Sequence, residues 1–114
     1  MPSLSDRDRV NLEAALTLAN KIEIFIEGIT NHKQFYDDEK AFDSVLMNFV
    51  IIGESAARLS DELKTSQSLI PWNKIKAFRN FVAHNYFGLD SEEIWQLNHS
   101  HLPQLKNDVK KFLE

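Results

Sequence analysis

The chain has 114 residues, of which 43% are hydrophobic and 26% charged, and its net charge is −4. This length suits one domain around a single core, so we expect one domain spanning residues 1–114. The absence of cysteine excludes disulfides, thiolate metal sites and cysteine nucleophiles, and it agrees with a reducing cytoplasm. No apolar run reaches the length of a membrane span, and the acidic balance restricts any nucleic-acid site to a local patch.

Three glycines and three prolines in the whole chain favour long helices over a turn-rich fold. Apolar residues at helical spacing predict a first helix from residue 5 to about residue 29, opened by Ser5 with Asp8 three positions later. A polar connector follows at residues 32–38. The connector carries two aromatic side chains that should pack back on the core, Phe35 and Tyr36.

A second helix is predicted from an aspartate cap at residue 37 or 38 to about residue 64. Gly53 lies in its middle, where glycine costs about 1 kcal/mol relative to alanine, so we expect a close approach of another helix there. Glu54 and Arg58 have the spacing and order of a favourable ion pair. The simpler interpretation is a solvent-exposed ion pair between them. The alternative is that either Glu54 or Arg58 faces the basic segment of the chain and orients a site residue.

A third helix is predicted to open at Pro71, where a missing N–H costs nothing, and to stop at Gly88. Asp90 with Glu93 forms the capping box of a fourth helix, which Pro103 should kink or split near residues 100–102. Four amphipathic helices with short connections predict an all-α, up-and-down four-helix bundle.

The long stretch from residue 63 to residue 89 contains no Asp or Glu, and we call it the acid-free window. It has a local charge of +4 in a chain of net charge −4. Its four cationic side chains are Lys64, Lys74, Lys76 and Arg79. A region that has lost its carboxylates and kept its cations is suited to binding phosphate.

The same window contains Arg79, His84 and Tyr86 in the spacing Arg-x4-His-x-Tyr. Cleavage of RNA without a metal needs a base for the 2′-OH proton, cations for the developing phosphorane charge and an acid for the leaving oxygen. His84 can serve as acid or base near neutral pH, and the Arg79 fork matches phosphate oxygens. Asn80 and Asn85 could orient the imidazole or the phosphate, Tyr86 could contact RNA, and Lys76 adds a nearby cation.

Arg79 and His84 are five positions apart, which places them about 140° apart around a regular helix. They converge only if the helix ends near His84, or if a second copy of the chain completes the cleft across a two-fold axis. The second arrangement predicts a homodimer with the site on the symmetry axis.

Other readings remain open, because arginine and histidine on an amphipathic helix are common. The basic groove could bind a nucleotide without catalysis, or the chain could be the accessory subunit of a nucleotidyltransferase. A purely structural helical dimer would leave the acid-free window unexplained.

The stretch from Arg79 to Tyr86 resembles the R-x4-H-x-Y signature of HEPN-superfamily ribonucleases. The surrounding sequence is similar to the HepT-like toxin family, over residues 48 to 114. The similar segments are Asn48–Ala56, Ile70–Ile75, Tyr86–Asp90, Ile94–Trp95 and Leu102–Leu105.

This resemblance implies an all-α HEPN bundle, a homodimer and a metal-independent endoribonuclease site that includes Arg79 and His84. It also implies a toxin paired with a small nucleotidyltransferase antitoxin of the MNT type. In the family the antitoxin transfers AMP from ATP to the motif tyrosine, which is Tyr86 here. The chain itself is expected to need no metal and no cofactor, since ATP is used by the partner.

Overall fold

A computed structural model of the chain describes residues 4–66, 75–77, 79, 80, 82 and 90–113. All regular structure in these ranges is helical, which confirms the all-α class. The helices are α1 (Asp6–Phe25), α2 (His32–Asp37), α3 (Glu39–Ala57), α4 (Asp61–Ser66), α5 (Ser91–Ser100) and α6 (Leu102–Leu113). Residues 75–77, 79, 80 and 82 are also helical, and we call them the central segment.

Helix α1 begins where the sequence predicted and ends earlier. The Ser5 hydroxyl accepts a hydrogen bond from the Asp8 amide at 3.1 Å, as an N-cap residue does. The helix ends at Phe25 instead of residue 29, and Gly28 follows in the left-handed region with a φ of 83°. That conformation is readily available to glycine alone, so the turn is made there.

The polar connector is in fact a short helix, α2. The Asn31 side chain accepts a hydrogen bond from the Gln34 amide at 2.8 Å and caps it. Phe35 is fully buried as expected, with its ring 5.2 Å from that of Phe42 and 5.5 Å from that of Trp95. Tyr36 follows the expectation only in part, since its ring packs against Phe42 at 5.4 Å but the residue is 56% exposed.

The prediction of one continuous helix to residue 64 is wrong, because α3 ends at Ala57 and α4 begins at Asp61. Side chains of α1 form hydrogen bonds with the residues between the two helices. Asp8, which is 4% exposed, accepts hydrogen bonds from the Ser60 amide at 2.8 Å and the Ser60 hydroxyl at 2.6 Å. Arg7 donates from Nε to the carbonyl of Arg58 at 2.8 Å. Arg7 and Asp8 of α1 therefore stabilise the backbone between α3 and α4, at Arg58 and Ser60.

Burial raises the pKa of the Asp8 carboxyl, but its hydrogen-bond partners outweigh that effect. The Ser60 hydroxyl, the Ser60 amide and Ser5 all favour the charged form, as does the positive charge of Arg7. The net result is a pKa below the ordinary value of 3.8. The carboxylate is thus stabilised as an anion at the junction of α1, α3 and α4.

The fourth predicted helix is divided into α5 and α6, with His101 between them. Pro103 lacks the N–H that would bond to the carbonyl of residue 99, so a continuous helix is disfavoured at this point. The His101 amide donates to the Leu97 carbonyl at 3.0 Å, and the Leu105 amide donates to the His101 carbonyl at 3.0 Å. His101 therefore donates its amide to α5 and offers its carbonyl to α6.

The core forms where α1 packs against α3 and α6, and where α2 packs against α3 and α5. Val82 of the central segment is 3% exposed and belongs to this core. The other buried members are Ala15, Ala19, Ile22, Phe35, Phe42, Val45, Leu46, Ile52, Ile94 and Leu102. None of the helices built from the described residues has the length and apolar character needed to cross a membrane.

Candidate active site

Three of the predicted site residues, Lys76, Arg79 and Asn80, lie in the central segment. The other three, His84, Asn85 and Tyr86, lie outside the described residues, so the hypotheses about them stay predictions. Lys76 and Asn80 are exposed.

The central segment turns one side toward the core. Val82 is buried there, and Arg79, three positions earlier and hence on a neighbouring part of the same face, is partly buried with a side-chain exposure of 17%. An arginine this covered needs partners for its charge, because a desolvated, unpaired guanidinium is costly.

Glu54 of α3 supplies the countercharge for Arg79. Nη1 of Arg79 lies 2.9 Å from Oε1 of Glu54, and Nε of Arg79 donates to Oδ1 of Asn80 at 3.1 Å. The pairing of Glu54 with Arg58, the simpler sequence interpretation, is therefore wrong. Its alternative, in which Glu54 faces the basic segment, agrees with the structure.

Gly53, the neighbour of Glu54, lies against the stem of Arg79. A Cβ atom placed on Gly53 would be 2.5 Å from Cβ, 2.9 Å from Cγ and 3.3 Å from Cδ of Arg79. Since ordinary carbon–carbon contacts are about 3.5–4.0 Å, no side chain fits there without a shift. The close approach predicted from a glycine in mid-helix is confirmed, and Arg79 is the residue that makes it.

The described residues use only part of the hydrogen-bonding capacity of Arg79. A guanidinium has five N–H groups, and the contacts between described residues use one on Glu54 and one on Asn80. The remaining N–H groups have the fork geometry that suits phosphate oxygens. Glu54 also reduces the positive charge around Arg79. The charge count of the acid-free window does not include this carboxylate, because Glu54 lies outside the window in sequence.

The exposed side of α3 is apolar as it approaches Glu54. Met47 is 60% exposed and Ile51 is 40% exposed, and these residues precede Glu54 by seven and three positions. Residues at this spacing lie along one face of a helix. An apolar strip, Met47 and Ile51, thus leads along α3 to the Glu54–Arg79 pair.

The role of Glu54 beside the basic segment was only the alternative interpretation of the sequence, although the sequence contained a pattern that favours it. Gly53 and Glu54 are adjacent in the middle of a helix, and they join a residue that permits close approach to one that can pair with a cation. The acid-free window supplied the cations that such a pair would meet.

Comparison with known proteins gives a consistent result. The family model "Ribonuclease HepT-like" matches residues 15–112. A protein of Thermococcus cleftensis named "Probable ribonuclease HepT" is 31% identical over 97 residues, which cover 82% of this chain and 87% of that protein. A Methanocaldococcus jannaschii protein named "Putative RNase MJ1380" is 26% identical over 108 residues, covering 94% and 98% respectively. No solved structure matches the chain significantly. The chain belongs to the HepT-like ribonuclease family.

Proposed function

We propose that this chain is an endoribonuclease toxin that cleaves RNA without a metal, using Arg79 and His84. The observation that carries the proposal is the state of Arg79. It is the first residue of the Arg-x4-His-x-Tyr spacing and lies partly buried 2.9 Å from Glu54, and its contacts with the described residues leave N–H groups that suit phosphate. Membership of a ribonuclease family supports the same conclusion.

The proposed chemistry assigns a separate task to each side chain. His84 exchanges protons with the 2′-OH or with the leaving 5′-oxygen, which imidazole can do near neutral pH. Arg79 stabilises the charge that develops on the phosphorane. Lys76 and Asn80, both exposed on the central segment, contact neighbouring phosphates or orient the scissile group. Dependence on the 2′-OH restricts the substrate to RNA.

The test is RNA cleavage by Arg79→Ala and His84→Ala variants. Loss of a positioned acid–base group lowers the rate by about 10²–10⁴-fold, while the helical circular dichroism signal should stay unchanged. Arg9→Ala and His32→Ala are matched controls, because both residues are exposed and far from the motif in sequence. Activity should survive EDTA and leave 2′,3′-cyclic phosphate ends or their hydrolysis product. Full activity of His84→Ala, or abolition by EDTA, would contradict the mechanism.

We also propose that the active form is a homodimer. Arg79 and His84 point about 140° apart on a regular helix, so a second copy completes the cleft. The apolar strip of Met47 and Ile51 supports this assembly, because it is exposed and runs directly to the Glu54–Arg79 pair. An isologous contact would cover it by the same strip of the other copy.

Sedimentation at micromolar concentration tests the dimer. Met47→Asp should give a monomer with little RNase activity, since a charge replaces an apolar contact. Ile24→Asp is the matched control, because Ile24 is 65% exposed on α1 and does not belong to the strip. A wild-type monomer, or equal dissociation of both variants, would refute the proposed interface.

The proposed partner is an MNT-type nucleotidyltransferase antitoxin that uses ATP to adenylylate Tyr86. A phosphodiester-linked adenylate brings negative charge close to the motif arginine and competes with RNA phosphate. Co-expression with the partner should add one or more AMP masses to the wild-type chain and none to Tyr86→Phe. Tyr36 is an internal control for non-specific modification, because it is 56% exposed. Adenylate on Tyr36, or a modified protein that still cleaves RNA, would contradict the proposal.

A further inference from the structure

The stem of Arg79 occupies the space that a side chain at residue 53 would fill. Three consecutive carbons, Cβ, Cγ and Cδ, lie 2.5, 2.9 and 3.3 Å from the position of a Cβ on Gly53. The first of these carbons is attached to the backbone, so it cannot move aside as the tip of a flexible side chain would. The place of Arg79 relative to α3 therefore depends on the absence of a side chain at residue 53.

The head of the same arginine is fixed by the next residue of α3. Oε1 of Glu54 holds Nη1 at 2.9 Å, and Asn80 accepts from Nε at 3.1 Å. The guanidinium is planar, so two contacts on different nitrogens determine its orientation as well as its position. One pair of adjacent residues thus holds both ends of a long and otherwise flexible side chain.

We infer that Gly53 and Glu54 are positioning residues that place Arg79 for the scissile phosphate, a role that rests on the proposed cleavage of RNA. Gly53 sets the distance of the arginine from α3, and Glu54 sets the direction of its fork. Neither needs to touch the substrate. An arginine held in place before RNA binds does not have to be ordered during the reaction, which is the benefit of preorganised catalytic groups.

Gly53→Ala is the sharpest test. The new Cβ must move from 2.5 Å to an ordinary contact, which displaces Arg79 by about 1 Å. A displacement of this size can lower the rate by about 10²-fold. In an unconstrained helix the same change is favourable, because alanine has the higher helix propensity. We therefore expect retained helicity together with a large loss of cleavage.

Glu54→Gln provides a second variant that should fold, because Glu54 is 44% exposed. It removes the charge and keeps the shape, and Glu54→Asp should recover part of the activity by restoring the charge. The matched control is Glu23→Gln. Glu23 is also 44% exposed and pairs with Lys106 at 2.8 Å, with the lysine 15% exposed. Removing that ion pair between α1 and α6 should leave cleavage unchanged.

A double-mutant cycle separates positioning from general stability. If Gly53 and Glu54 act only through Arg79, their substitution should cause no further loss of single-turnover cleavage in an Arg79→Ala background. NMR adds a readout independent of activity, since the Nη–H resonances of Arg79, whose Nη1 contacts Glu54, should be protected from exchange in wild type and lose protection in Gly53→Ala and Glu54→Gln.

The outcomes distinguish this inference from the proposed function. A fully active Gly53→Ala variant, additive losses in the Arg79→Ala background, or equal losses for Glu23→Gln and Glu54→Gln would overturn the positioning role. If Arg79→Ala itself cleaves RNA normally, the proposed ribonuclease site fails. Exchange protection of Arg79 that disappears in both variants would still show that Gly53 and Glu54 hold the arginine.

Discussion

Replacing Asn98 with leucine should stabilise the fold, although the change removes a polar side chain from a helix. Asn98 is only 3% exposed on α5, and neither its Nδ2 nor its Oδ1 has a hydrogen-bond partner in the part of the chain that the structure describes. Ile94, four positions earlier on the same helix, is 1% exposed and belongs to the main core. The amide therefore lies on the buried side of α5 with Ile94, without the hydrogen bonds that buried polar groups normally have.

The size of the effect follows from the cost of an unpaired buried group. Leaving such a group unsatisfied costs about 1–3 kcal/mol, and leucine of similar shape removes that cost. Asn98→Leu should therefore raise the free energy of unfolding by about 1–3 kcal/mol. A domain of this size gains roughly 4 °C in melting temperature for each kcal/mol, so the expected rise is roughly 4–12 °C.

Urea and thermal denaturation followed by circular dichroism would measure the change. Asn20→Leu is the matched control, because Asn20 is exposed on α1 and surface substitutions usually change stability by about 0.5 kcal/mol or less. A drop in the free energy of unfolding of Asn98→Leu would refute the reasoning, since it would mean that the amide has a partner in the native protein.

Two further predictions concern side chains that join helices. Phe35→Ala should lower the free energy of unfolding by about 3–5 kcal/mol, because it removes a fully buried ring packed on Phe42 and Trp95. Urea denaturation would measure the loss, and an effect below about 1 kcal/mol would show that this ring does not anchor α2. The Asp8 carboxyl has a folded-state pKa below its ordinary 3.8. The stability that this carboxylate gives to the folded state is therefore complete above that value and is lost as the pH falls through the folded-state pKa. Asp8→Asn should therefore be less stable than wild type at pH 7, and the difference in urea midpoints should close in acid; a difference independent of pH would contradict the assignment.

The helical character of this chain could be predicted from local patterns. The N-cap at Ser5 and the interruption near Pro103 follow from the hydrogen-bonding capacity of individual residues, which acts over one helical turn. The close approach at Gly53 was also predictable, because a glycine that weakens a helix implies a compensating contact. The Arg-x4-His-x-Tyr spacing and the acid-free window predicted the candidate site from local patterns as well, and its assignment stays a prediction.

The partners of those residues were decided by tertiary structure. Nothing local shows that Asp8 accepts hydrogen bonds from Ser60 between α3 and α4, because the two residues are 52 positions apart. A charge pattern within one helix favoured the pairing of Glu54 with Arg58, whereas in the fold Glu54 pairs with Arg79 on a different helix. Local periodicity determines which face of a helix is buried, but the neighbour that covers this face depends on how the whole chain packs. For that reason the sequence indicated the arginine and a close approach at Gly53, and only the fold showed that Gly53 and Glu54 both contact this arginine.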